Sequence, residues 1–430
     1  MKKATLILFI LIVTLIAGIF IRNQQSNSSK KSTSTLFTFG TNHAGQLGTS
    51  PNKVKSGFHT ISFKTQIKKT GAGRNFSAAI ARDGSLYTWG GNDWGQLGMK
   101  TPVTYTATPL LNTHLSEVTD IAVSNNHAVV LKNDGTVWTF GSNFSGQLGN
   151  GTNENSTVPI QVKRINNIKA VAAGYKFSIA IKKDGTLWGW GASCDAETKK
   201  NALVWWENLG EDMTNEEGGY YDPLSDSLVY YDKNEYCINE EIVGILSKVP
   251  IQIKNIADVE TASAGYGHVL ALKKDGTVWS FGCNTFGQLG NREAVNKKPN
   301  AVPQKIEELK DIVEVSAGYR HSLALQKDGT VWGWGLNSHG QLGTGTTKNT
   351  ARPVKLPIRD VVHIIAGYDY SLVVKKDGTI WGWGLNKQRW FKNSDQEYVT
   401  HAEPMRQLKN VSFLSAGGAH IVGIQPTDNH

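Results

Sequence analysis

Ser316–Gly343 reads SAGYRHSLALQKDGTVWGWGLNSHGQLG, and most of the remaining chain is made of further copies of it. Within this unit Ser322–Leu325 alternates small or polar with apolar residues, Lys327-Asp328-Gly329 turns the chain, and Val331, Trp332 and Trp334 lead back. Asp-Gly between two short apolar runs is a strong hairpin signal, and it implies a type I′ turn with positive φ at both central residues. The pair recurs at Asp83-Gly84, Asp134-Gly135, Asp184-Gly185, Asp275-Gly276 and Asp377-Gly378, which makes six hairpins.

A second marker, Gly-Gln-Leu-Gly, stands at 45–48, 95–98, 146–149, 287–290 and 340–343. The first copy has no Asp-Gly turn before it. Conversely, Ser415–Ile424 resembles the opening of the unit and has no second half after it. Pairing of Leu36–Phe39 with Ile421–Ile424 would join the two fragments into a seventh unit shared by both ends of the chain. A period near fifty residues with several short strands per period reads as a propeller of four-stranded blades. The expected fold is therefore all-β, a seven-bladed β-propeller over residues 36–425 closed by pairing of its N- and C-terminal strands. An open solenoid is the alternative, and the matching half-units disfavour it.

The chain has 430 residues, with 45 glycines and 13 tryptophans, both explained by the repeat. Ahead of the propeller, Met1–Lys3 is basic and Ala4–Ile21 is apolar, interrupted only by Thr5 and Thr14. Eighteen such residues suffice to cross a bilayer. They also exceed the usual core of a signal peptide. Residues 1–21 read as one hydrophobic N-terminal helix, an uncleaved transmembrane anchor or a signal segment, and 22–35 as a flexible polar linker. The expected setting is the cell membrane, single-pass with the propeller outside the cytoplasm; secretion is the alternative. Charges flank the apolar segment on both sides, so topology rests on its position as the first hydrophobic segment.

One interval breaks the period. A proline stands eighteen to twenty-one positions after the last hairpin glycine in five units, but Gly191 and Pro250 are fifty-nine apart. The insertion region 192–248 holds thirteen acidic and four basic side chains, a formal −9 in a chain of +9, so the remainder carries +18. Trp205, Trp206, Tyr220, Tyr221, Tyr230 and Tyr231 within it are the candidate partner contacts; a packed lid or surface decoration is the alternative. Cys194 and Cys237 fall in the same region and form a candidate disulfide if the compartment is oxidising. Cys283, directly after a hairpin strand, reads as a buried thiol.

Other residue types point away from chemistry. His127, His268, His321 and His420 occupy one repeat position, filled elsewhere by Phe76, Phe177 and Tyr370. A slot shared with aromatics reads as a semi-buried packing and hydrogen-bonding position. Zinc donors, by contrast, must converge on one ion. Period two places Trp332 and Trp334 on one strand face with Gly333 on the other. The Ala-Gly pairs, such as Ala317-Gly318, read as points where strands converge near the axis. No phosphate loop, nucleophile elbow or His-Glu-x-x-His is present. No intrinsic catalysis, cofactor or metal is expected.

Lys273–Gly290, KKDGTVWSFGCNTFGQLG, together with 132–149 and 327–343, resembles the regulator-of-chromosome-condensation repeat family. The resemblance covers nearly all of 36–424 and implies a seven-bladed propeller. It assigns Asp134, Gly135, Trp138, Gly146, Gln147, Leu148 and Gly149, and likewise Asp328, Gly329, Trp332 and Trp334, to the scaffold. The family includes an exchange factor for a small GTPase, ubiquitin-ligase accessory domains, a plant light receptor and secreted bacterial inhibitors. The leading expectation is an extracytoplasmic protein-interaction scaffold that binds or inhibits a protein partner. Binding of carbohydrate or a cell-envelope polymer is the runner-up, with exchange-factor activity behind it. Nucleic acid is disfavoured, because the positive charge is spread through turns with no recognition element.

Overall fold

The computed structural model describes residues 34–425 apart from 52, 54–55, 193–218, 223–226, 231–245, 292–299, 388, 392–395, 406–410, 412 and 419. The apolar segment 4–21 and the linker therefore lie outside the described residues. Among the described residues no helix is long and apolar enough to cross a membrane.

Seven antiparallel four-stranded sheets form the seven blades. Blades 1 to 6 span residues 67–111, 118–161, 168–252, 259–305, 312–355 and 361–404, each running in order from its innermost strand to its outermost. Blade 7 takes its two inner strands, Phe413–Ala416 and His420–Gln425, from the C-terminus and its two outer strands, Ser34–Thr41 and Ser56–Phe63, from the N-terminus. The closing register pairs Leu36 with Ile424 and Phe39 with Ile421. A chain lacking residues 1–41 would leave the C-terminal strand with an open edge. It is expected to lose cooperative unfolding and to aggregate, as read by near-ultraviolet circular dichroism and light scattering.

The core is seven separate apolar clusters, one at each joint between neighbouring blades. Strand alternation supplies them, since each blade must bury both faces against its neighbours. Trp332 and Trp334 do share a face, as period two requires, but they differ in depth: Trp334 is fully buried and Trp332 is half-buried under the Lys355 ammonium.

The hairpins are not type I′. Asp134 and its counterparts keep negative φ, and only the glycine is left-handed, at 79° for Gly135. Gly135 N–H donates to Lys132 O over 3.0 Å, which describes a type I turn followed by a glycine bulge. The aspartate is present for another reason: its carboxylate accepts the Thr136 N–H at 2.9 Å and hydroxyl at 2.6 Å. Those two bonds hold Asp134 below the ordinary carboxylate range. Asp328 accepts the Thr330 N–H at 2.9 Å in the same way, and Gly329 has φ 87°.

Four of the five Gly-Gln-Leu-Gly turns, all but 95–98, bond both within themselves and to the next blade. Gly146 and Gly149 have positive φ, and Leu148 is fully buried, its N–H donating to Asn143 Oδ1. The Gln147 carbonyl then accepts from Ser178 Oγ and Trp190 Nε1 of blade 3, both at 2.8 Å. Gln46, Gln288 and Gln341 each accept from a serine and a tryptophan of the following blade in the same manner.

Candidate functional site

The four histidines are fully buried rather than half-buried, and each reaches across a joint. His127 Nε2 lies 3.0 Å from Ser178 Oγ, and the pairs His268–Ser322, His321–Ser371 and His420–Ser77 repeat the contact at 2.9–3.0 Å. The serine proton already goes to the glutamine carbonyl, so the imidazole is the donor and is neutral with its hydrogen on Nε2. Nδ1 is buried in all four without a hydrogen-bond partner. Burial lowers their pKa values, to about 4 for His127 and His420 and about 3 for His268 and His321. Such groups hold blades together; they carry no charge at neutral pH. Among the described residues no cluster of three or more metal-ligating side chains occurs.

Ala317 pairs with Ser322, and His321 with Gly335, so the turn after the innermost strand and the loop after the third strand emerge on the same face of the ring. The Asp-Gly turns emerge on the opposite face. On the first face the Ala-Gly pairs do converge on the axis, where they line a cavity of about 90 Å³. Their glycines are required twice over. A Cβ on Gly318 would fall 2.4 Å from the His321 ring and 2.6 Å from the Gly367 carbonyl of the next blade.

The residue after each of the six pairs, with Asn125 after Val123-Ser124 in blade 2, lines the mouth of this cavity: Arg74, Asn125, Tyr175, Tyr266, Tyr319, Tyr368 and Gly418. The four tyrosines stand on consecutive blades as a crescent, with ring centroids 4.5, 4.5 and 4.8 Å apart. The Tyr368 hydroxyl crosses the axis and donates to Asn125 Oδ1. Arg320 rests its guanidinium carbon 5.0–5.5 Å from the centroids of Phe286, Tyr319 and Tyr266. Farther out, Trp94 meets the half-exposed Phe144 edge to face at 5.0 Å. Sequence reasoning took the Ala-Gly pairs as axial and stopped one residue short of the crescent, although Gly-Tyr repeats in four successive units.

The insertion leaves and re-enters this same face, since Ala192 pairs with Leu246 at its base. Tyr220 and Tyr221 lie in a strand, Gly219–Asp222, that pairs with Ser227–Tyr230, which ends on Tyr230. Trp205, Trp206, Tyr231, Cys194 and Cys237 lie outside the described residues. Cys283 is disulfide-bonded, contrary to the expectation of a buried thiol.

The ring, its seven joints and its shared blade together define a propeller of repeat modules. The regulator of chromosome condensation (RCC1) repeat matches residues 83–131, 134–181, 275–325 and 328–374. A second model of the same repeat matches 67–96, 118–147, 168–195, 259–288, 312–341 and 361–388. The chain belongs to the RCC1 repeat family. It is similar to the ultraviolet-B receptor UVR8 of Arabidopsis thaliana, 26% identical over 68% of this chain and 58% of that one. It also resembles the regulator of chromosome condensation of Mus musculus, 25% identical over 75% and 72%. Among solved structures, Prp20p of Saccharomyces cerevisiae superposes with a TM-score of 0.71 at 19% identity, over 92% of each chain. That likeness concerns the fold.

Proposed function

We propose that this chain is a protein-interaction scaffold acting outside the cytoplasm, with the axial aromatic face as its contact surface. The concentration of Tyr175, Tyr266, Tyr319, Tyr368, Trp94 and Phe144 on one face carries the reading, because partly exposed aromatic side chains dominate protein contact energetics. Relatives supply the precedent: the solved Prp20p structure was studied for binding to Gsp1p and histones. The disulfide at Cys283 and the apolar segment 4–21 support an oxidising setting beyond the membrane. Trp205, Trp206, Tyr220, Tyr221, Tyr230 and Tyr231 of the insertion are further candidate contacts in this reading. No catalytic step is assigned to it.

Proximity labelling with the full chain in its native membrane, followed by capture on the purified protein, tests this. One discrete protein is expected, and its capture should fall about tenfold in Tyr266→Ala/Tyr319→Ala while Lys274→Ala on the opposite face leaves it unchanged. Retention on envelope fractions instead, abolished by the same tyrosine pair, would favour polymer binding, for which an aromatic crescent is also suited. Labelling confined to cytoplasmic proteins would remove the proposed setting. Accelerated nucleotide release from a captured GTPase would make the chain an exchange factor.

A further inference from the structure

We propose that the axial mouth docks an acidic peptide segment of the partner, with a small apolar side chain at its centre; this rests on the protein-interaction reading above. The inner turns that form the mouth bring Arg74, Lys176 and Arg320 from blades 1, 3 and 5. Their one carboxylate among the described residues, Asp369, already faces Gln341 Nε2 at 3.4 Å. Arg320 has no carboxylate partner among the described residues. It is held instead over three aromatic rings, which orient the guanidinium without neutralising it. Lys176 Nζ lies 5.6 Å from the centroid of the Tyr175 ring.

A cation fixed on aromatic faces and ready for a bidentate bond suits a carboxylate. The tyrosine faces suit the apolar stem of an acidic side chain. Ala72, Val123, Ala173, Ala264, Ala317, Ala366 and Ala416 line the cavity of about 90 Å³, an apolar lining of small side chains that suits a small apolar group. The chain as a whole carries +9, which steers anionic partners toward it.

Fluorescence anisotropy of the full-length chain in detergent tests the proposal with three labelled dodecamers: four repeats of Glu-Asp-Ala, of Ser-Gly-Ala and of Lys-Arg-Ala. The acidic peptide is expected to bind about tenfold more tightly than the neutral one, with an advantage that shrinks as salt rises. Arg320→Gln should remove most of that advantage and Arg74→Gln/Arg320→Gln all of it, with the near-ultraviolet spectrum and thermal midpoint retained. Equal binding of the three peptides, or an unchanged advantage in Arg320→Gln, overturns it. So does Arg320-dependent binding of heparin without binding of the acidic peptide, or self-association lost in Arg320→Gln, which would give the mouth to a polysaccharide or to a second copy. If tyrosine-dependent capture of a protein persists while the acidic peptide fails, the scaffold reading stands and this one falls.

Discussion

Between pH 7 and pH 4.5 the propeller is expected to lose on the order of 10 kcal/mol of unfolding free energy, enough to unfold a typical domain. The source is His127, His268, His321 and His420. An unfolded histidine takes up a proton below about pH 6.5. The folded ones stay neutral until about pH 3–4. The unfolded chain therefore binds more protons throughout that window, so stability rises with pH there and falls as acid is added. At about 1.4 kcal/mol per unit, each histidine accounts for about 2–3 kcal/mol by pH 4.5. Denaturant titrations across this range measure the slope. In His268→Phe/Ser322→Ala/Trp334→Phe, which installs the side chains of an apolar joint, about one proton's worth of slope should disappear. An unchanged slope would assign the acid lability to other groups.

Trp334→Ala is expected to destabilise the protein by about 3–5 kcal/mol, and Trp332→Ala by about 1 kcal/mol or less. Both rings lie on one strand face two residues apart, so sequence position alone does not separate them. Trp334 is fully buried at the joint between blades 4 and 5 and donates to the Gln288 carbonyl at 2.8 Å. Trp332 is part exposed, and its Nε1 reaches only Gln326 Oε1. Trp334→Phe should cost about 1–2 kcal/mol, because Ser322 still satisfies the same carbonyl. Equal losses for the two alanine variants, by urea unfolding, would refute this ranking.

Much of the scaffold could be read from single repeat units. The Asp-Gly pairs located six hairpins, and the unmatched halves at Leu36–Phe39 and Ile421–Ile424 located the closure. The turn geometry was misjudged because Asp134 works through its carboxylate bonds to Thr136 rather than through a left-handed backbone. Contacts between units were harder to see, since they join residues about fifty positions apart. Histidine and aromatic residues were read as exchangeable at one slot, yet each choice is matched on the next blade. After His127, His268, His321 and His420 the facing blade offers Ser178, Ser322, Ser371 and Ser77, paired in register with Trp190, Trp334, Trp383 and Trp89. After Phe76, Phe177 and Tyr370 it offers Ala128, Val269 and Ile421, paired with Phe140, Phe281 and Phe39. The tyrosine crescent was missed for the same reason, because it becomes a feature only when four units stand side by side around an axis.

This matching makes the seven modules behave like dominoes. Blade 3 presents a polar edge to the module before it and an apolar edge to the one after, while blade 2 does the reverse, so exchanging their positions would set unlike ends together. Blade 5 alone carries the polar end on both sides, with Ser322 and Trp334 receiving and His321 giving. It is the one segment of this chain that could follow itself indefinitely, and a ring cast from repeated copies of residues 312–355 would have no mismatched seam.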